Sequence, residues 1–374
     1  MRKVDQFIIG AGPAGLAVAG RFRKKNIPFE MYEQAPDLTS SWRGHYDRLC
    51  LHTVRMLSHL PHLPIPESYP LYVPRLDLVK YFESYADHFK IDPKFEKKIV
   101  RVIKKDNAWL IETEDGEQVL AKNVIVATGV NRVPNVPKWE GYQNYKGTIM
   151  HSRNYKNPDP FKGKRTLVIG MGNTGAEVAL DLVEQGVETA ISVRSAVNVV
   201  PRDLNGRPTQ LTAKKLEKLP FKLGDWLGIQ IRKFYYGDLS KYGLETSKLS
   251  PVEQLKKTGK TPVIDLGTIE KIKEGKIKVI GDVKSFHEDG VQLINGSKEA
   301  FGGIILATGY RAKLEEFIPG IQSFLDQYGV PKGPIGKGDF TNMYFVGFDN
   351  YKLGGLLGTI HTDSETVVEE ISRV

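Results

Sequence analysis

An α/β fold with two Rossmann-like dinucleotide-binding domains is predicted by three observations. Gly10-Ala-Gly12-Pro13-Ala14-Gly15 follows the apolar run Phe7-Ile8-Ile9 and opens into a helical pattern. Gly170-Met-Gly172-Asn173-Thr174-Gly175, 160 residues further on, follows Leu167-Val168-Ile169 in the same way. Val124-Ile-Val-Ala-Thr128-Gly129 is echoed by Ile304-Ile-Leu-Ala-Thr-Gly309, each run trailing its own glycine turn by a similar distance. The echo makes the two domains relatives of each other.

The elements follow in order. Residues 6–10 read as a buried strand, 14–25 as a helix and 28–32 as a second strand, which is a βαβ unit. Leu76, Val79, Phe82 and Phe89 keep roughly helical spacing across 75–89. Residues 95–121 read as a β-meander with Asp115-Gly116 as a hairpin turn, and 124–127 as a further apolar strand. A second βαβ unit starts at Thr166; its helix spans 174–185 and stops at Gly186, and its next strand is 190–193. Residues 198–260 are rich in basic and aromatic side chains and read as a partly helical insertion. Strands return near 277–279 and 291–293, then at 343–346, and 355–372 is a terminal helix. The most economical layout inserts the second nucleotide domain (163–309) into the first (1–162 and 310–374).

Bulk properties narrow the function. A chain of 374 residues with 40% hydrophobic content can build two cores. Net charge is +9, yet the lysines are scattered in pairs and no nucleic-acid motif accompanies them. They read as a solvated surface. Cys50 is the single cysteine, so no intramolecular disulfide, C-x-x-C redox pair or cysteine zinc site exists, which fits a reducing, cytoplasmic setting. Arg2 and Lys3 before an apolar stretch mimic a signal peptide, but that stretch holds the first glycine turn and belongs to the fold. No run of about 18 apolar residues exists to span a membrane. His52, His59 and His62 lack the thiols or carboxylates a metal site needs.

The glycine turns carry the chemistry. The first glycine permits a tight turn, the second admits a pyrophosphate to the backbone, and the third lets helix and strand pack closely. The helix N-terminus offers unpaired N–H groups to the phosphates. Glu33 lies 18 residues past Gly15 and suits a ribose 2′-hydroxyl. The second turn has no such acid; Arg194 lies 19 residues past Gly175, flanked by Ser192 and Ser195. Arginine pairs with a 2′-phosphate that an acid would repel. FAD at the first turn and NADPH at the second is the natural assignment, with NADH accepted less well.

Tyr145-Lys-Gly147-Thr-Ile-Met-His151-Ser-Arg-Asn-Tyr155 resembles the flavin-containing monooxygenase signature F-x-G-x-x-x-H-x-x-x-[Y/F], with tyrosine in place of the leading phenylalanine. Baeyer–Villiger enzymes usually end that signature in tryptophan, so Tyr155 argues against them. The resemblance spans nearly the whole chain. Ser41-Trp42-Arg43, Tyr46-Asp-Arg-Leu49, Gly259-Lys-Thr-Pro-Val-Ile-Asp265-Leu-Gly267 and Ala307-Thr-Gly-Tyr310 look most like the YUCCA branch and its bacterial relatives.

The resemblance implies roles residue by residue. Ser41, Trp42 and Arg43 resemble residues beside the flavin, Thr128, Gly129 and Gly309 resemble nucleotide-site positions, and His151 is structural. Leu51-His52-Thr53 occupies a stretch next to flavin and nicotinamide where animal-type members carry asparagine; His52 is the one candidate catalytic residue. A histidine that packs without a role in oxygen chemistry is the alternative there. Gly354 and Gly355 bring the last helix N-terminus to the flavin, where its dipole favours a reduced, anionic ring. The implied reaction uses NADPH and O2 to form a flavin hydroperoxide and pass one oxygen atom to a small organic substrate. That is N- or S-oxygenation in the wider family, and oxidative decarboxylation of a 2-oxo acid, indole-3-pyruvate, in the YUCCA branch. An NADPH oxidase or electron-transfer reductase on this fold, or a flavin-binding redox module without turnover, are the alternatives. The sequence leaves the oligomeric state open.

Overall fold

A computed structural model of the chain describes residues 2–216, 221–349 and 354–373. The chain divides into two compact units: residues 1–44, 53–133 and 310–374 form one, and 45–52 with 134–309 form the other.

The first unit is built on a six-stranded sheet. Arg2–Ile9 sits between Glu30–Tyr32 and Gln118–Val126, parallel to both, and Met343–Phe345 also pairs in parallel with Gln118–Val126. Ile99–Lys105 and Ala108–Thr113 complete the sheet as an antiparallel meander, turned at Gly116 with φ +87°. The meander's last strand and the expected separate strand at 124–127 are one element. Its first half pairs with Ala108–Thr113, and its apolar second half pairs with both Arg2–Ile9 and Met343–Phe345. Val124, Ile125 and Val126 are fully buried, because a strand flanked by parallel neighbours with both faces covered must be apolar on both sides. The helix Pro13–Lys24 packs on the terminal helix Gly355–Ser372 and on Arg75–His88.

The second unit repeats the plan. Its five-stranded parallel sheet runs Ile277–Ile280, Thr189–Ser192, Thr166–Ile169, Gly303–Leu306, Thr148–His151. The helix Asn173–Glu184 crosses from Thr166–Ile169 to Thr189–Ser192 and ends before Gly186, whose φ of +78° suits a glycine. A three-stranded antiparallel sheet (Val283–His287, Gly290–Leu293, Lys298–Ala300) packs with Trp139, Tyr142 and Tyr145. The expected insertion at 198–260 holds the helices Thr209–Leu216, Phe221–Tyr236 and Pro251–Thr258; residues 217–220 of it lie outside the described residues.

The boundaries differ from the expected ones in two places. Residues 134–162 fall in the second unit, since Thr148–His151 is an edge strand of its sheet. Residues 45–52 also fall there, detached in sequence from everything else in that unit. Side-chain bonds to the helix Asn173–Glu184 hold that short segment. No helix among the described residues is long and apolar enough to cross a membrane.

Candidate nucleotide-binding sites

The two units present the same cradle, bond for bond. Gly10 N–H donates to Tyr32 O at 2.8 Å, and Gly170 N–H donates to Ser192 O at 3.0 Å. Ala127 N–H donates to Ile9 O, and Ala307 N–H donates to Ile169 O, each at 2.9 Å. These bonds tie the glycine turn to the carboxyl ends of three parallel strands in each unit, where nucleotides bind in such sheets.

The glycines are required by contact. A Cβ on Gly15 would sit 2.0 Å from Gly10 O, and one on Gly175 would sit 1.9 Å from Gly170 O. Gly10 and Gly170 adopt φ +105° and +108°, and a Cβ there would meet Ala127 O at 2.8 Å and Ala307 O at 2.6 Å respectively. Gly12 and Gly172, by contrast, face open space with nothing within 4 Å. Each is the N-cap of its helix, and neither helix start is capped by a side chain. First-turn N–H groups of an uncapped helix are the donors a pyrophosphate takes. Pro13 stands at the first helical position, where a missing N–H costs nothing, and Ala14 is buried behind it.

Beyond this shared frame the sites diverge. In the first unit Glu33 follows Tyr32. Its Oε2 accepts from Ala11 N–H at 2.7 Å and its Oε1 from Ala35 N–H at 3.0 Å, so the carboxylate is pinned over the turn. Burial pushes its pKa up against the lowering effect of these backbone donors. Thr128 Oγ1 is buried with no hydrogen-bond partner among the described residues, and a ligand hydroxyl or phosphate would satisfy it. Residues and geometry therefore fit an adenine dinucleotide. In the second unit, the bond from Gly170 N–H to Ser192 O makes Val193 the positional equivalent of Glu33. Arg194 comes next; it is exposed and has no ion pair among the described residues. Thr308 Oγ1 donates to Asn135 O at 2.6 Å, so the equivalent hydroxyl is satisfied here. Asn173, expected at the cofactor, uses its Oδ1 to accept from Ile264 N–H at 2.7 Å and holds the strand Val263–Asp265. Thr174 is half-buried in the first turn beside it.

The signature residues are structural. His151 is buried at the end of its edge strand. Its Nδ1 accepts from Arg153 N–H at 3.1 Å, which leaves Nε2 to donate to Gly309 O at 3.1 Å. Gly309, at φ +82°, thus anchors the loop after Gly303–Leu306. Burial pushes the His151 pKa down, so the ring stays neutral in this arrangement. Tyr145 OH donates to Phe301 O at 2.7 Å. Tyr155 is buried and donates its hydroxyl to Asp181 Oδ2 at 2.6 Å, a bond that phenylalanine cannot make.

The remaining predicted residues of the first unit are engaged locally. Trp42 packs edge-on against Phe82 at 6.2 Å, and Ser41 is exposed. Arg43 pairs with Glu83 and Asp37 and donates to Leu38 O, so its charge is already matched. Gly129 adopts φ +78° beside Thr128. Gly354, at φ +119°, is the N-cap residue of the terminal helix, and a Cβ on Gly355 would sit 2.9 Å from Thr53 Cγ2.

Leu51 and His52 belong to the second unit, and there sequence reasoning missed a network. Glu177, Asp181 and Glu184 stand at i, i+4 and i+7 on the helix Asn173–Glu184. Glu177 Oε2 accepts from Tyr46 OH at 2.7 Å and from His52 Nε2 at 3.1 Å, with only 3% of the Glu177 side chain exposed. Arg48 Nη1 donates to Asp181 Oδ1 at 3.3 Å and to Glu184 Oε2 at 2.8 Å. An ionised carboxylate can only accept, so Nε2 of His52 carries the proton. Burial pushes the Asp181 carboxyl up and the Cys50 thiol up, so Cys50 is held as a thiol, not a nucleophile. The signal available was the row of three acids one helical face apart.

Two glycine turns at helix starts without side-chain caps, on twin parallel sheets and only one followed by an acid at the strand end, fit a two-nucleotide oxidoreductase. The model of the flavin-binding monooxygenase-like family matches residues 4–322, and the chain belongs to that family. Indole-3-pyruvate monooxygenase YUCCA1 of Oryza sativa subsp. japonica is 37% identical over 370 residues, covering 97% of this chain and 90% of that protein. Probable indole-3-pyruvate monooxygenase YUCCA7 of Arabidopsis thaliana is 35% identical over 93% of this chain and 84% of its own length. Among solved structures, a flavin-containing monooxygenase from Stenotrophomonas maltophilia superposes with a TM-score of 0.76 at 20% identity over 100% of this chain and 99% of that one. A steroid monooxygenase bound to NADP superposes with a TM-score of 0.78 at 18% identity, over 99% of this chain and 86% of that one. These two likenesses concern the fold.

Proposed function

We propose that the first unit holds FAD, that the second holds NADPH, and that the enzyme inserts one atom of O2 into a small organic acid, a 2-oxo acid of the indole-3-pyruvate type. The observation that carries the cofactor assignment is the divergence at equivalent positions, Glu33 against Val193-Arg194, on otherwise identical frames. Glu33 retains lone pairs for the ribose hydroxyls after meeting Ala11 and Ala35. Arg194, exposed and uncommitted among the described residues, suits a 2′-phosphate. The substrate class draws on the relatives above, which are named as indole-3-pyruvate monooxygenases.

A flavin and a nicotinamide held at these turns would supply two-electron transfer and O2 activation. The chain's own residues do the rest. The glycine turns bind the two pyrophosphates. Glu33 orients one adenosine and Arg194 selects the other. The N-terminus of Gly355–Ser372 supplies a positive dipole end. His52, with Nε2 committed to Glu177, offers Nδ1 as an acceptor. No nucleophile or acid–base triad is needed, and the engagement of His151 and Arg43 elsewhere supports that.

Stopped-flow absorbance tests this reading. The flavin-loaded protein is reduced anaerobically with NADPH or NADH, then mixed with O2 with and without indole-3-pyruvate. NADPH should reduce the flavin faster at low concentration, and the 2-oxo acid should be consumed one for one with NADPH. Peroxide released in full yield with the acid untouched would support the oxidase reading instead. Arg194→Ala should erase the NADPH preference, and its persistence would unseat the 2′-phosphate role. His52→Asn should raise the share of NADPH lost as peroxide without changing KM for NADPH; unchanged coupling would return His52 to a packing role.

A further inference from the structure

The second unit carries a surface that nucleotide chemistry does not use. The helix Phe221–Tyr236 is anchored by its inner face: Arg232 is buried and donates to Asn198 Oδ1, and buried Tyr236 donates to Asp265 Oδ2 at 3.2 Å. Its outer face bears Trp226, Gln230, Lys233 and Phe234, at i, i+4, i+7 and i+8, all exposed. Trp226 is 55% exposed and Phe234 94%. Large aromatic rings turned to water on one face gain nothing for the fold and mark an interaction surface.

Charge identifies the partner. Residues 198–260 hold 13 Lys and Arg against 6 Asp and Glu, which is seven of the chain's nine net positive charges. Lys214, Lys215, Lys233, Lys241, Lys256 and Lys257, on or beside the three helices of this segment, are exposed. The remaining 311 residues are close to neutral. A second copy of the chain would bring the same excess of positive charge to the contact, which opposes self-association through this face. We propose that the helix Phe221–Tyr236 and its lysine surround dock the enzyme on an anionic lipid bilayer. Trp226 and Phe234 enter the headgroup boundary and the lysines meet acidic headgroups. The attachment is peripheral, consistent with the absence of a spanning helix among the described residues. It stands apart from the oxygenation reading, since neither depends on the other.

Co-sedimentation of the flavin-loaded protein with extruded vesicles tests it. One set is phosphatidylcholine alone; the other contains a quarter phosphatidylglycerol. Binding to the anionic set should exceed binding to the neutral set by about tenfold and weaken with added salt. Trp226→Ser with Phe234→Ser should lower anionic binding about tenfold, and Lys233→Glu by a smaller factor, with flavin content and thermal midpoint at parental values. Absence of binding at low salt overturns the proposal, as does parental binding by the double variant. Concentration-dependent dimerisation lost in the double variant assigns the face to a second copy. Binding of a single-stranded oligonucleotide that depends on these aromatics, without vesicle binding, assigns it to nucleic acid. Either result refutes the bilayer.

Discussion

Glu33 shows how much one side chain decides. Its two oxygens close the turn through Ala11 and Ala35, and the same carboxylate is proposed above to meet the ribose. Glu33→Gln replaces one acceptor with a donor, so one of the two N–H groups loses its partner. The expected cost is about 1–3 kcal/mol of stability. Flavin affinity should fall about tenfold or more through the lost ribose contact. Thermal melts of the flavin-free variant and flavin titration separate the two effects. Equal affinity would show that the carboxylate serves the turn alone. Val193 at the equivalent place in the second unit makes neither bond, which is why the two turns look alike in sequence and differ in chemistry.

Helices in this protein are held by polar seams as well as by apolar faces. The helix Asn173–Glu184 grips residues 45–52 through Glu177, Asp181 and Glu184. In the first unit, buried Arg21 on Pro13–Lys24 donates to Ser364 Oγ at 3.1 Å and to His361 O at 3.2 Å on Gly355–Ser372. His59 packs edge-on against His361 at 5.6 Å. Burial first, then Arg21 and His59, push the His361 pKa below its ordinary 6.5, against the opposing pull of Glu365. Burial, Arg21 and Lys24 do the same to His62. Neutral histidine is the form the fold accepts, so this stability is present above pH 6.5 and is lost as pH falls through the depressed values. The thermal midpoint should therefore drop on acidification below about 6.5, and His361→Gln should flatten that drop. A profile unchanged in the variant would place the acid sensitivity elsewhere.

At the scale of the whole molecule, each nucleotide cradle is complete within its own sheet. Damage to one should spare the other. Gly175→Ala forces a Cβ onto Gly170 O and should abolish NADPH binding while leaving bound flavin at parental content. Gly15→Ala forces the same collision with Gly10 O and should yield protein without flavin that still binds NADP⁺. Flavin absorbance and calorimetric NADP⁺ titration of the two variants check this crossed pattern. Loss of both ligands in either variant would show that the units fold interdependently.

Much of this was legible in the residues themselves. The two turns, the helices behind them, the echo of 124–129 in 304–309, and the terminal helix at 355–372 follow from local sterics and periodicity, which a sequence expresses directly. Glu33 follows its strand end directly, whereas the next residue at the second strand end is Val193, and Arg194 stands one position further on. Tertiary structure decided what depends on distant partners. It merged the meander with the central strand, since Gln118–Val126 pairs with three other strands far apart in sequence. It moved residues 134–162 into the second unit through one edge strand. It gave the Asn173 carboxamide oxygen a partner at Ile264, and it gave Tyr155 and His52 carboxylate partners on a helix that begins at the second glycine turn. Hydrogen bonds between side chains 26 to 125 positions apart leave no periodic trace, so only the folded chain reveals them.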